Sequence, residues 1–191
     1  MTLIQVMADR NPDDIQLRTD DVEVISLELA WRGIDFGRWH ATPALDAATA
    51  VADILTLYRD LIADVNADGR YQYVDVASLR PDDANPFWPD NAKAARQKFL
   101  SEHRHGEDEV RFFVAGRGCF YLHLEAEVVA VVCEGGDLLR VPAGARHWFD
   151  MGVRPDFVAI RFFEGQEGWV GDFTGDSIGE RFPTLDQLVT A

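Results

Sequence analysis

The chain has 191 residues, with 33 acidic and 18 basic side chains and a formal charge of −15. A chain of this length buries about 70% of its unfolded surface and needs no disulfides, and its charge disfavours nucleic acid and anionic membranes, which reward positive surface. No apolar run approaches the roughly 18 residues of a spanning helix, the start MTLIQVMADRNPDD lacks a signal-peptide pattern, and Cys119 and Cys133 sit in apolar runs as free thiols. One cytoplasmic, monomeric domain over residues 1–191 is the expectation.

In chain order, Leu3 to Met7 reads as a strand and Arg10-Asn11-Pro12-Asp13 as a turn. A helix is predicted from Asp20, with Glu23 as its capping-box partner, to Gly33. Ile34 to Trp39 is weakly strand-like. Asp46 to Ala63 places Val51, Ile54, Leu55, Tyr58 and Ile62 at helical spacing. Tyr71 to Leu79 reads as a strand, with Asp75 interrupting its alternation. Residues 81–90, with three prolines and three aspartates, read as a loop, and 91–99 as a short helix.

After residue 101 the texture changes. Strand-like runs at 109–115, 118–125, 127–133, 138–142, 147–152 and 157–163 are separated by Gly, Pro or charge. Many short strands with turn signals between them predict a mainly-β sandwich or barrel. The helix-rich residues 1–100 then pack against a core formed by 101–175.

Two stretches carry the chemistry: SEHRHGEDEVRFFVAG at 101–116 and GDLLRVPAGARH at 136–147. They hold three of the five histidines. On a strand, His103 and His105 share a face and aim two imidazoles at one point. A turn at Gly106-Glu107-Asp108 returns Glu109 to that point, and the Pro142-Ala143-Gly144 turn delivers His147. Three imidazoles and one carboxylate form a plausible ligand set for one divalent transition metal. Arg111, two residues past Glu109, shares its face, and an inward arginine needs a partner. An anionic substrate supplies one; a salt bridge to one of the acids is the alternative. His123 and His40 read as structural.

The two stretches resemble the cupin motifs, as His103-x-His105-x3-Glu109-x6-Gly116 and Gly136-x5-Pro142-x-Gly144-x2-His147. Gln97 stands where the first motif usually opens with Gly, and Met151 where the second often closes with Asn; neither position is a ligand. Lys98 to Val114, Val141-Pro142-Ala143, His147 to Gly152, Glu167-Gly168-Trp169 and Phe173 to Asp176 are similar to the bacterial acireductone dioxygenases.

The resemblance implies a cupin-type jelly-roll β-barrel with flanking N-terminal α-helices. It implies one Fe(II) or Ni(II) per chain on His103, His105, Glu109 and His147. The implied reaction is O₂-dependent cleavage of 1,2-dihydroxy-3-keto-5-methylthiopentene in methionine salvage. The iron form gives 2-keto-4-methylthiobutyrate and formate; the nickel form gives methylthiopropionate, formate and carbon monoxide. Arg111 is the implied catalytic, substrate-holding residue. Phe99, Phe112, Phe149 and Trp169 read either as plain core or as walls of an apolar pocket for the thioether tail; Phe149 and Trp169 are the pocket candidates, with Arg161 as a further candidate substrate contact. Glu102 is a candidate outer partner that orients a ligand imidazole. The alternatives are another metal-dependent cupin enzyme, an isomerase or small-substrate dioxygenase, and a non-catalytic cupin binding module.

Overall fold

The computed structural model describes residues 1–39, 45, 49–166 and 169–190. In order, the elements are β1 (Leu3–Ala8), β2 (Asn11–Thr19), α1 (Val22–Trp31), β3 (Asp35–Arg38), α2 (Val51–Leu57), α3 (Arg59–Val65), β4 (Tyr73–Leu79) and α4 (Trp88–Phe99). There follow β5 (His103–Arg104), β6 (Glu109–Leu124), β7 (Glu127–Glu134), β8 (Asp137–Val141), β9 (Arg146–Asp150), β10 (Phe157–Phe163), β11 (Asp172–Phe173), a 3₁₀ turn (Ile178–Arg181) and α5 (Leu185–Thr190).

The long strand β6 organises the fold, because it belongs to two antiparallel sheets. Its second half lies in the order β11-β5-β9-β6-β7-β1-β2; its first half lies in the order β4-β10-β6-β8-β3. The sequence suggested two strands here. They are one, bent where Val114 is left out of the register between Phe113↔Ala159 and Ala115↔Val158. Such an extra residue bends a strand and flips its phase. Gly116 follows with φ of 70°, and a Cβ there would lie 1.9 Å from the Asp156 carbonyl oxygen. Glu109, Arg111 and Phe113 therefore face inward before the bend, and Phe120 and Leu122 after it.

Phe113, Phe120, Phe149 and Phe157 fill the interior between the sheets, together with Ile4, Val6, Val129 and Val131. Each such side chain contributes about 1.5–3 kcal/mol on burial. Outward-facing residues on the same strands are covered too. Tyr121 and Trp148 pack beneath Phe182, Leu185 and Leu188 of the C-terminal segment. Phe112, Val158 and Ile160 pack beneath Ile54 of α2, Leu61 of α3 and Tyr58 between them. The mainly-β barrel with helices against it is the architecture expected.

Several local expectations need correction. Arg10 to Asp13 is not all turn: Asn11, Pro12 and Asp13 open β2, an edge strand that among the described residues pairs only with β1. Proline is tolerated on an edge. The cap of α1 is Asp21 rather than Asp20, accepting from Glu23 N at 2.9 Å and Val24 N at 3.3 Å. That helix ends as foreseen at Gly33, where Gly33 N donates to Ala30 O and Ile34 N to Leu29 O. The helix expected over 46–63 is two helices meeting at Tyr58, and residues 46–48 lie outside the described residues. Helix α4 begins at Trp88, inside the expected loop. Pro89 occupies its first turn, where a missing N–H costs nothing.

Candidate metal centre

The strands bring the two histidine stretches together through backbone pairing. His103 on β5 stands opposite His147 on β9. His105 follows β5, and Glu109 opens β6 opposite Val141. The intervening turn is clamped to the Pro142 turn. The Asp108 carboxylate accepts from Ala143 N at 2.9 Å and from Arg70 Nη1 at 2.8 Å, and Gly144 N donates to His105 O at 2.9 Å.

Donor atoms of His103, His105, Glu109 and His147, all buried, lie within 4.8 Å of one another. Each Nδ1 lies against a backbone carbonyl: His103 on Ser101 O at 2.7 Å, His105 on Val170 O at 2.9 Å, His147 on Ala145 O at 2.8 Å. A carbonyl only accepts, so each Nδ1 carries the proton and each Nε2 keeps a lone pair. Glu109 Oε2 lies 3.0 Å from His147 Nε2 and 3.1 Å from His105 Nε2. Donors about 2.1 Å from one ion and at right angles are about 3.0 Å apart. These four residues therefore fit a single transition-metal ion.

Charge in the cluster is balanced locally. Arg111 Nη2 lies 2.7 Å from Glu109 Oε1, with both side chains buried. Burial opposes the charge on Glu109, but Arg111 and the imidazoles of His105 and His147 outweigh it and hold the carboxyl well below its usual range. Burial pushes His103 down to about 4, which keeps it the neutral ligand a metal requires. Arg111 is thus both inward-facing and paired, and its partner is the Glu109 carboxylate of the cluster itself. Its Nε has no hydrogen-bond partner among the described residues. The guanidinium carbon sits 4.6 Å from the Phe149 ring centre and 5.2 Å from those of Phe120 and Trp169.

A cavity of about 740 Å³ opens over the cluster and includes His103, His105, Glu109 and Arg111 in its lining. Phe149, Trp169 and Arg161 line it, as does Phe99. Trp169 is anchored through Nε1 to Asp108 O at 3.1 Å. Arg161 donates to both oxygens of Asp75, at 2.8 and 2.7 Å. Phe112 is on the opposite face, against Trp39 and Tyr58. Glu102 does orient an imidazole, but that of His123 rather than a ligand, and it also accepts from Thr174 Oγ1 at 2.7 Å. Carbonyls already fill the role foreseen for it. His123 is the hydrogen-bonded buried histidine expected, while His40, Glu167 and Gly168 lie outside the described residues. Sequence reasoning missed Phe163, Phe173 and Asp75 as lining residues. Only the broken alternation at Asp75 hinted at one of them.

An antiparallel barrel holding three imidazoles and a carboxylate under an aromatic cavity defines a cupin-type metalloprotein. The model of the ARD/ARD′ family matches residues 4–171, and the chain belongs to that family. Acireductone dioxygenase 2 of Nocardia farcinica is 64% identical over 193 residues, covering 100% of both chains. An acireductone dioxygenase of Prochlorococcus marinus is 54% identical over 92% of this chain and 91% of its own. The structure of an acireductone dioxygenase from Bacillus anthracis, with a cadmium ion in its active centre, matches with a TM-score of 0.75 at 30% identity. That match covers 91% of this chain and 98% of the other.

Proposed function

We infer that this chain is a metal-dependent acireductone dioxygenase of methionine salvage. The observation that carries the reading is the trio of Nε2 lone pairs and the Glu109 carboxylate converging beneath the cavity of a family member. The ion proposed is Fe(II) or Ni(II), one per chain. When bound, it supplies Lewis-acid charge and a template for adjacent substrate oxygens.

The chain's own residues do the rest. Arg111 is held by Glu109 and the surrounding rings, so its positive charge is fixed before substrate enters and need not reorganise. It offsets the charge of the substrate's enediolate. With Glu109 engaged by the ion, the Arg111 charge would be left to face the anionic head. Phe149 and Trp169 exclude water from the thioether tail, and Arg161 forms the adjoining wall. The same proposal includes one domain over 1–191 acting as a cytoplasmic monomer on a small molecule and O₂. No described helix is long and apolar enough to cross a membrane.

Oxygen uptake with a desthio acireductone analogue, on protein reconstituted separately with iron and nickel, tests the reading. Uptake is expected with both metals, and carbon monoxide only with nickel. Metal binding without uptake would favour another cupin activity.

A further inference from the structure

Asp75, Arg161 and Arg111 stand in one row. They are directly opposed across β4, β10 and β6, in the register Asp75↔Arg161↔Arg111. Opposed residues share a sheet face, and all three line the cavity. Glu109 precedes Arg111 by two residues on β6, outside the row, and pairs with it at 2.7 Å. Two guanidinium groups thus lie side by side in the substrate pocket, each covered by its own carboxylate.

We propose that Asp75 is a specificity-determining residue that neutralises Arg161, so that an anionic substrate head binds only at the metal end of the pocket. This rests on the acireductone reading above. The substrate has an anionic enediolate head and a neutral thioether tail. An uncovered Arg161 would offer the head a second cationic site at the tail wall and hold the substrate in reverse. Asp75 prevents this through a two-point pairing, at 2.8 and 2.7 Å, that matches the planar guanidinium. The guanidinium still packs 5.1 Å from the Phe163 ring centre and 5.7 Å from that of Trp169, so Arg161 serves the wall as a flat surface. Lys98, also on the lining, is exposed and lies over Phe99, where water and salt screen its charge.

Reverse binding has a kinetic signature that simple destabilisation lacks. It withdraws enzyme from turnover, so kcat and KM fall by the same factor and kcat/KM holds level. The test compares metal-loaded wild type with Asp75→Asn. The side chains of Asp75 and Arg161 are 49% and 28% exposed, so the effect is on the order of fivefold rather than larger. Asp75→Asn is expected to lower kcat and KM together by about fivefold. Calorimetric titration with sulfate is expected to show affinity tighter than wild type by a similar factor. Adding Arg161→Met to Asp75→Asn should return sulfate affinity to the wild-type level. A fall in kcat/KM with sulfate affinity unchanged would overturn the proposal and leave Asp75 a structural partner of β10. A wild type without oxygen uptake would sink the enzymatic reading instead, while the sulfate titration would still report whether Asp75 covers Arg161.

Discussion

His103 and His147 face each other directly across the antiparallel pairing of β5 and β9, with ring centres 4.5 Å apart. Residues 44 positions apart in sequence are thereby fixed by backbone hydrogen bonding before any ion arrives. Removing either imidazole leaves the strands in place and deletes one donor. His103→Ala and His147→Ala are each expected to lower metal affinity by more than the roughly 10–100-fold typical of losing an outer partner of a ligand. Metal analysis after gel filtration checks this. Full retention of metal and activity would remove the residue from the site.

Arg111 is expected to matter for turnover rather than for metal. Arg111→Ala should keep the ion, because the ion itself can neutralise Glu109, and should lower kcat by about 10²–10³-fold. Metal content and oxygen uptake measured on the same sample separate the two effects. Unchanged turnover would exclude Arg111 from substrate binding.

Gly118 makes room for the ring beneath Arg111. A Cβ at position 118 would lie 2.4 Å from Phe149 Cζ and 2.5 Å from its Cε2. Gly118→Ala is expected to displace that ring, costing about 1–3 kcal/mol in denaturant unfolding and lowering turnover while metal stays bound. A variant as stable and active as wild type would show that Phe149 is not wedged there.

Asp150 accepts four donors: Arg96 Nε at 2.7 Å, Arg96 Nη2 at 3.1 Å, and the backbone N–H groups of Gly152 and Leu185 at 2.9 Å each. It ties α4 and the C-terminal segment to the strand that carries His147. Burial raises its pKa, but the Arg96 hydrogen bonds and the two backbone donors outweigh burial and set it below the ordinary carboxylate range. A carboxyl group with a depressed folded pKa stabilises above its unfolded value of about 3.9, and that stability is lost as pH falls through the folded value. Asp150→Asn should therefore lower stability at neutral pH by about 1.5–3 kcal/mol, with the gap to wild type narrowing in strong acid. Urea unfolding at the two pH extremes decides it; a constant gap would contradict the ionic contribution.

The cluster of His103, His105, Glu109 and His147 was legible in the sequence because metal-binding chemistry restricts residue type and because turns at Gly106 and Pro142 fix the spacing. The inner strands were legible because both of their faces are covered, giving apolar runs such as Val128 to Cys133. Strand β2 was hidden, since an exposed edge places few demands on composition and admits Pro12, Asp13 and Asp14. The continuity of β6 was hidden by Gly116, which serves a bend there rather than an end. Glu102 was misassigned because its neighbour in sequence, His103, turns toward the cavity while its own side chain turns toward His123 and Thr174. Asp75 showed in the sequence only as a break in strand alternation, because its partner Arg161 lies 86 positions away.

The most direct test is anomalous diffraction from crystals of the nickel-loaded protein. A single peak about 2.1 Å from Nε2 of His103, His105 and His147 and from one Glu109 oxygen is predicted. A peak on an Nδ1 atom, or one outside this cluster, would contradict the account.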